Sequence, residues 1–394
     1  MSDPVRVGLI GVGGMGSEHL RCLLLLRELA QVVAVADVDP GARERAMAKV
    51  GPGLSAYEDY RALLGRDDIE AVFISVPEYA HKEVALAAFS AGKDVFLEKP
   101  TATNLRDTDE IILAAEQSGR LLQIGLVYRY SRFFRGMKEL LKVRGEIPRI
   151  LMMWCKEHRV SFPPKRWYHF QETTGGAIVE KDCHHFDIFN WMMECRAKRV
   201  CAFGGRSVLV PGGDYLSRWP GLEPQLIDYG DNVDHAEIIL EYENGSLAHL
   251  SLCLCLRPTD HSLGFPLEIG AIGYNGRTML SDVSQGWIKF KGGHTALEET
   301  HDMRDRSDAE ANAHAGGMQE HVEFLQCVRT RQRPYADGIV GRESMLPAFA
   351  AEKSIKEGRI VHIEEILDEG LLPRQPYREP PMPGWGASAR EPDA

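Results

Sequence analysis

Val5-Arg-Val-Gly-Leu-Ile-Gly-Val-Gly-Gly-Met-Gly16 reads as a short apolar strand that turns sharply through glycines into a helix starting near Ser17. Gly11, Gly13 and Gly16 occupy the three fixed positions of G-x-G-x-x-G, with Val12, Gly14 and Met15 between them. The first glycine permits the tight turn, the second lets a pyrophosphate approach bare backbone, and the third lets helix and strand pack closely. The helix start offers unpaired N–H groups and a positive dipole end to phosphates. The flanking sequence agrees: a helix over 18–29, then a strand over 31–36 that ends in Asp37. A carboxylate roughly 20 residues past the glycines binds the adenosine ribose 2′-OH in a Rossmann domain and repels a 2′-phosphate. NAD is therefore favoured; Arg43 and Arg45 stand close enough to offset the repulsion, which leaves NADP open.

Outward from this unit, strand and helix alternate up to about residue 124. Helices are expected over 40–50, 57–64, 81–91 and 105–118, with strands over 71–75, 94–97 and 121–125. Such alternation implies an α/β domain over 1–124, a parallel doubly wound sheet with helices on both faces. Ligands bind beyond the carboxyl ends of its strands, where Gly11, Asp37, Ser75, Val76, Pro77, His81, Glu98 and Lys99 fall.

Past residue 150 the pattern changes to strands over 150–154, 200–203, 236–242, 246–256, 267–272, 277–280 and 287–291. Asn244-Gly245 between two alternating segments signals a type I′ hairpin. Helices are expected over 176–193, 317–329 and 343–357. This makes 125–366 an α+β domain with a large, mainly antiparallel, open-faced sheet, followed by a proline-rich tail over 367–394. On the strand over 246–256, Leu250, Leu252, Leu254 and Leu256 share one face, with His249, Ser251, Cys253 and Cys255 on the other. The second face is small and mildly polar. It is expected to bury against another copy of the chain, giving a homodimer or homotetramer.

The 394 residues carry a net charge of −11, which disfavours nucleic-acid binding, since that requires a basic surface. No apolar run approaches the roughly 20 residues of a membrane span. The first residues lack a signal-peptide pattern, and the eight cysteines lack C-x-x-C pairs, so a cytoplasmic location with reduced thiols is expected.

Further motifs carry a family likeness. Glu98-Lys99-Pro100 closes a strand. Gly175-Gly-Ala-Ile-Val-Glu-Lys-Asp-Cys-His184-His-Phe-Asp187-Ile-Phe-Asn-Trp191 is similar to the pattern G-G-x-x-x-D-x-x-x-H-x-x-D-x-x-x-W. With the glycine turn and the closing helices after His321, the chain from Arg6 to about Ile363 resembles the Gfo/Idh/MocA oxidoreductases. Two positions depart from the pattern: Glu180 replaces the usual aspartate, and Pro77-Glu78-Tyr79-Ala80-His81 replaces Pro-Asn-x-x-His.

The resemblance implies an NAD(P)-dependent dehydrogenase acting on a secondary hydroxyl of a sugar, glycoside or cyclitol. Oxidising an alcohol takes a hydride acceptor and a base. The expected catalytic residues are Lys99, with its pKa lowered by the nicotinamide and, as the resemblance implies, preceding a cis-Pro100, His184 as base, and Glu180 as its orienter or a substrate ligand. Glu180, His184 and Asp187 follow i, i+4 and i+7 spacing and share one helix face. His185, about 100° around the helix, is the rival to His184. Tyr128 and Trp167 are expected at the substrate. Arg129 either holds the substrate or the cofactor rim or ties the two domains together, and Trp167 either stacks on a sugar ring or packs. Cys183-His184-His185 diverge on a helix and are not read as a metal site. Two other functions stay open: a glycosidase acting through transient oxidation, and a nicotinamide-sensing protein without catalysis.

Overall fold

The computed structural model describes residues 3–160, 166–213, 229–256, 267–292, 298–303 and 317–377. The first sheet contains β1 (Val5–Ile10), β2 (Ala30–Ala36), β3 (Ser55–Tyr57), β4 (Ala71–Ile74), β5 (Asp94–Leu97) and β6 (Leu122–Ile124). All six run parallel, in the order β3-β2-β1-β4-β5-β6. Strand order reverses between β1 and β4, and there a crevice opens at the carboxyl ends. Helices α1 (Gly14–Leu25), α2 (Pro40–Val50), α3 (Tyr60–Leu64), α4 (His81–Ser90) and α5 (Leu105–Ser118) connect the strands. β4 is apolar throughout and β5 is apolar after Asp94, and both are buried at every position, as strands covered on both faces must be. Side-chain caps fix the helix starts: Asp39 accepts from Gly41 and Ala42 at α2, and Asn104 accepts from Asp107 at α5. Each such cap is worth about 1 kcal/mol.

α6 (Arg132–Lys138) and α7 (Gln171–Thr174) lead to α8 (Ala177–Met193), the long helix of the second half. Its sheet comprises β7 (Ile150–Val160), β8 (Ala197–Gly205), β9 (His235–Tyr242), β10 (Leu247–Leu256), β11 (Leu267–Gly273), β12 (Arg277–Asp282), β13 (Trp287–Gly292), β14 (Glu299–Asp302) and β15 (Val361–His362). The order is β14-β13-β12-β11-β7-β10-β9-β8-β15, antiparallel except where β7 meets β10. α8 and α10 (Gly338–Glu357) cover one face. α9 (Gly317–Thr330) instead packs on the first sheet, its Phe324 edge-on to Phe73 and Phe96. α11 (Ile363–Leu367) closes the described chain, and Leu371 and Leu372 donate their amides to buried Asp109.

Several elements differ from the sequence expectation. Residues 55–57 form a strand rather than the start of a helix; the chain bends at Asp59, whose carboxylate caps α3. α1 begins at Gly14, because the glycines themselves make its first turn, and it ends at Leu25. α10 begins at Gly338, capped by Asp337. Its glycines hid it, yet they are required: a Cβ on Gly338 would lie 2.9 Å from Ile112 and Leu122, and one on Gly341 2.7 Å from Ile124. The turn at 242–245 is not type I′. Asn244 has no positive φ, Gly245 (φ 82°) does, and its amide reaches the Tyr242 carbonyl. That is a type I turn followed by a left-handed glycine. β14 and β15 are too short to leave a periodic signal. No helix among the described residues is long and apolar enough to cross a membrane, and all eight cysteines are free.

Candidate active site

The glycine turn carries the first part of the site. A Cβ on Gly16 would lie 2.0 Å from the Gly11 carbonyl, and one on Gly11 (φ 81°) 2.5 Å from the Ser75 carbonyl. β1, β4 and α1 are thus pressed together where only glycine fits. Nothing lies within 4 Å of a Cβ on Gly13 or Gly14, and no side chain caps α1. Bare backbone and free N–H groups therefore face open space, which suits a pyrophosphate. At the end of β2 the Asp37 carboxylate accepts from the Val12 amide at 2.8 Å and the Asp39 amide at 2.9 Å, so it braces the turn as well as facing the crevice.

A cavity of about 440 Å³ runs from this turn into the second half. Gly11, Gly13, Gly14, Met15 and Asp37 form its first wall, and Ser75, Val76, Pro77 and His81 the floor. Glu98, Lys99, Trp167, Tyr168 and Glu180 line the far end. Val12 and Gly16 lie behind the turn rather than on the wall. His81 is buried, with its ring nitrogens 2.9 Å from the carbonyls of Val76 and Pro100. It ties the end of β4 to the lysine loop instead of presenting itself to a ligand. Glu98 is also a brace: one carboxylate oxygen meets His19 at 2.8 Å and the other accepts the Lys99 amide at 3.0 Å.

Lys99 precedes a cis peptide to Pro100 and reaches across to α8, where its Nζ donates to the carbonyl (3.0 Å) and a carboxylate oxygen (3.1 Å) of Glu180. The other oxygen of Glu180 pairs with Lys181 at 3.0 Å. Burial opposes the lysine charge, but Glu180 together with Cys183, Glu98 and Glu78 outweighs it, so the pKa of Lys99 is raised. The sequence expectation of a lowered value invoked a nicotinamide beside the lysine; the chain's own groups act in the opposite direction and favour the ammonium, which is half-buried. Burial likewise opposes the Glu180 charge, yet Lys181 and Lys99 bring its carboxyl down to about 2.

Glu180 does not orient His184, then, because its carboxylate is committed to two ammonium groups. His184 lies one turn along α8 and packs its ring 4.7 Å from Tyr128, which stacks in turn on Phe134; neither ring is on the cavity wall. His185 is also displaced from its expected role. It is 2 % exposed, bonded to Asp182 at 2.9 Å and beside Glu157 at 3.5 Å. Burial would lower its pKa, but these two carboxylates raise it to about 9. Arg129 makes a forked pair with Asp187 at 2.8 Å and lies over Trp191 and Tyr335. It ties the segment after β6 to α8 and does not touch the cofactor crevice.

Two wall residues had no motif to announce them. Tyr168 stacks on Trp167 at 3.6 Å and extends the aromatic surface toward Glu180. Glu78 replaces the asparagine of the family pattern, and only that substitution signalled it. Outside the cavity, His19, Glu320 and His321 cluster with their ligand atoms within 4.8 Å of one another, but His19 and His321 share a hydrogen bond at 2.9 Å within the core.

The comparisons with known proteins agree with this construction. Residues 5–126 match the model of the oxidoreductase family with an NAD-binding Rossmann fold, and residues 138–363 match that family's C-terminal α/β domain. The chain belongs to the Gfo/Idh/MocA oxidoreductases. Among Gfo/Idh/MocA relatives, the inositol 2-dehydrogenase of Salmonella typhimurium is 34 % identical over 197 residues, 50 % of this chain. That match spans 56 % of the relative's own length. The myo-inositol 2-dehydrogenase of Thermotoga maritima is 26 % identical over 374 residues, covering 92 % of this chain and 100 % of the relative. The crystal structure of a probable dehydrogenase from Thermotoga maritima superposes with a TM-score of 0.71 at 24 % identity, over 92 % of this chain and 100 % of that one. This last likeness establishes a shared fold.

Proposed function

We propose that the protein is an NAD-dependent dehydrogenase that moves a hydride between nicotinamide and a secondary hydroxyl of a sugar, glycoside or cyclitol. The observation that carries the reading is the Lys99–Glu180 pair, which joins the two halves at the far end of the cavity that begins at the glycine turn. Bound NAD would supply the hydride acceptor. Gly13 and Gly14 would hold its pyrophosphate and Asp37 its ribose. Lys99, held charged by Glu180, donates a hydrogen bond to the reacting oxygen and stabilises the negative charge that grows there as its proton leaves. The Trp167–Tyr168 surface matches the apolar face of a ring. His184 packs against Tyr128, so the proton acceptor is sought on the cavity wall instead. The names of the inositol dehydrogenase relatives favour a polyhydroxylated ring.

A panel of cyclitols, aldoses and glycosides with NAD⁺, followed by NADH absorbance, tests the reading. Failure to bind NADH together with absence of turnover refutes it. Release of an aglycone without net NADH would mark the transient-oxidation route. Asp37→Ser is expected to raise the KM for NAD⁺ roughly 10- to 100-fold, the loss of one or two charged hydrogen bonds, and to narrow the gap to NADP⁺.

We also propose that the open face of the second sheet pairs with another copy. Ile239, Met152, Leu247 and Leu280 are exposed there and lie on neighbouring strands around Trp154. Large apolar side chains exposed together on one sheet face mark an interaction surface. Ile239→Glu is expected to turn the oligomer into monomers by light scattering at low micromolar concentration.

A further inference from the structure

Glu78 opens a single helical turn, Glu78–Ala80, just past β4 and beside the switch point of the first sheet. It is 6 % exposed and shares the cavity wall with Lys99, Tyr168 and Glu180. Its Oε2 is buried and has no hydrogen-bond partner among the described residues. Leaving such an oxygen unmatched is costly, because its desolvation is not offset. A fold sustains that cost where a ligand completes the set. The other two acidic groups at this end of the cavity are occupied: Glu180 holds two ammonium groups, and Glu98 holds His19 and the Lys99 amide. The asparagine of the family pattern could not accept a proton at this position; a carboxylate can.

We propose that Glu78 is a catalytic residue, the group that takes the hydroxyl proton of the substrate. The inference rests on the dehydrogenase reading. The carbinol C–H bond breaks with its electron pair, and the hydride passes to NAD⁺. The O–H bond breaks, its proton passes to the Glu78 carboxylate, and its electrons form the C=O bond. Alcohol, NAD⁺ and carboxylate become ketone, NADH and carboxylic acid.

Glu180 and Lys181 face Glu78 from α8, Lys99 from the end of β5, and Tyr168 from the 166–169 turn. Burial, then the Glu180 carboxylate, pushes its carboxyl up to about 8, against the pull of Lys99 and Lys181. Alcohol oxidation needs the ionised form and is therefore expected to speed up as pH rises through this value. Ketone reduction needs the acid form and is expected to speed up as pH falls.

The test uses the full chain and the isosteric variant Glu78→Gln, with Glu78→Asp as the conservative control. Without substrate, an infrared difference spectrum of wild type minus Glu78→Gln is expected to show a carboxylic acid band at neutral pH that fades through about pH 8. With the best cyclitol of the panel, Glu78→Gln is expected to lose roughly 10²- to 10⁴-fold in kcat together with the alkaline rise, while NADH affinity holds. Glu78→Asp is expected to regain the rise. A missing band, or a Glu78→Gln enzyme that keeps its rate and its alkaline rise, overturns the assignment alone. A wild type without turnover on any polyol overturns the dehydrogenase reading and the assignment with it.

Discussion

Replacing Lys99 by alanine is expected to lower kcat about 10³-fold, in the range that a positioned proton donor or charge stabiliser supplies. NADH affinity should change little, because the pyrophosphate contacts belong to the glycine turn and not to β5. The ammonium rests 3.1 Å from Glu180, so its loss leaves that carboxylate buried with Lys181 as its remaining partner. Burial then counts for more, and the Glu180 carboxyl should titrate above its present value near 2. Activity in Lys99→Arg would show whether charge alone suffices. Steady-state NADH formation and fluorescence titration of NADH separate the two effects, and a Lys99→Ala enzyme near wild-type rate would remove the lysine from the mechanism.

The second large effect concerns stability. Arg129 and Asp187 are 4 % and 2 % exposed and joined by three bonds of 2.8–3.0 Å. Removing one partner of a buried ion pair costs about 3–5 kcal/mol, mostly because the other charge stays behind. Arg129→Met should therefore lower the apparent Tm by roughly 6–10 °C. The double variant Arg129→Met, Asp187→Leu should recover much of the loss, since no orphaned charge remains. Calorimetry of the three variants checks both statements, and an Arg129→Met protein that melts like wild type would show that the pair holds nothing together.

The contrast between these residues shows how far sequence carries. The glycine turn, Asp37 and the strand ends could be read directly, because backbone crowding admits few residue types at each position. The helix over 177–193 was legible too, from its motif and spacing. What its residues do was not. Spacing put Glu180 and His184 on one face, but the lysine that claims Glu180 is 81 residues away in sequence, and no local pattern foretells such a pair. The same holds for His185, whose partners Asp182 and Glu157 sit on α8 and β7, and for Arg129, whose partner Asp187 is 58 residues away in sequence. Glu78 showed itself only as a departure from an expected amide; its buried, unmatched oxygen is visible only once the fold surrounds it.

Lys99 and Glu180 grow from opposite halves of the molecule, one from a parallel strand and the other from a helix lying over an antiparallel sheet. Neither half expressed by itself would own a working centre. Division of ownership also means that the second half's wall can differ without disturbing the glycine turn of the first. The ammonium–carboxylate bridge is the seam where the two contributions meet.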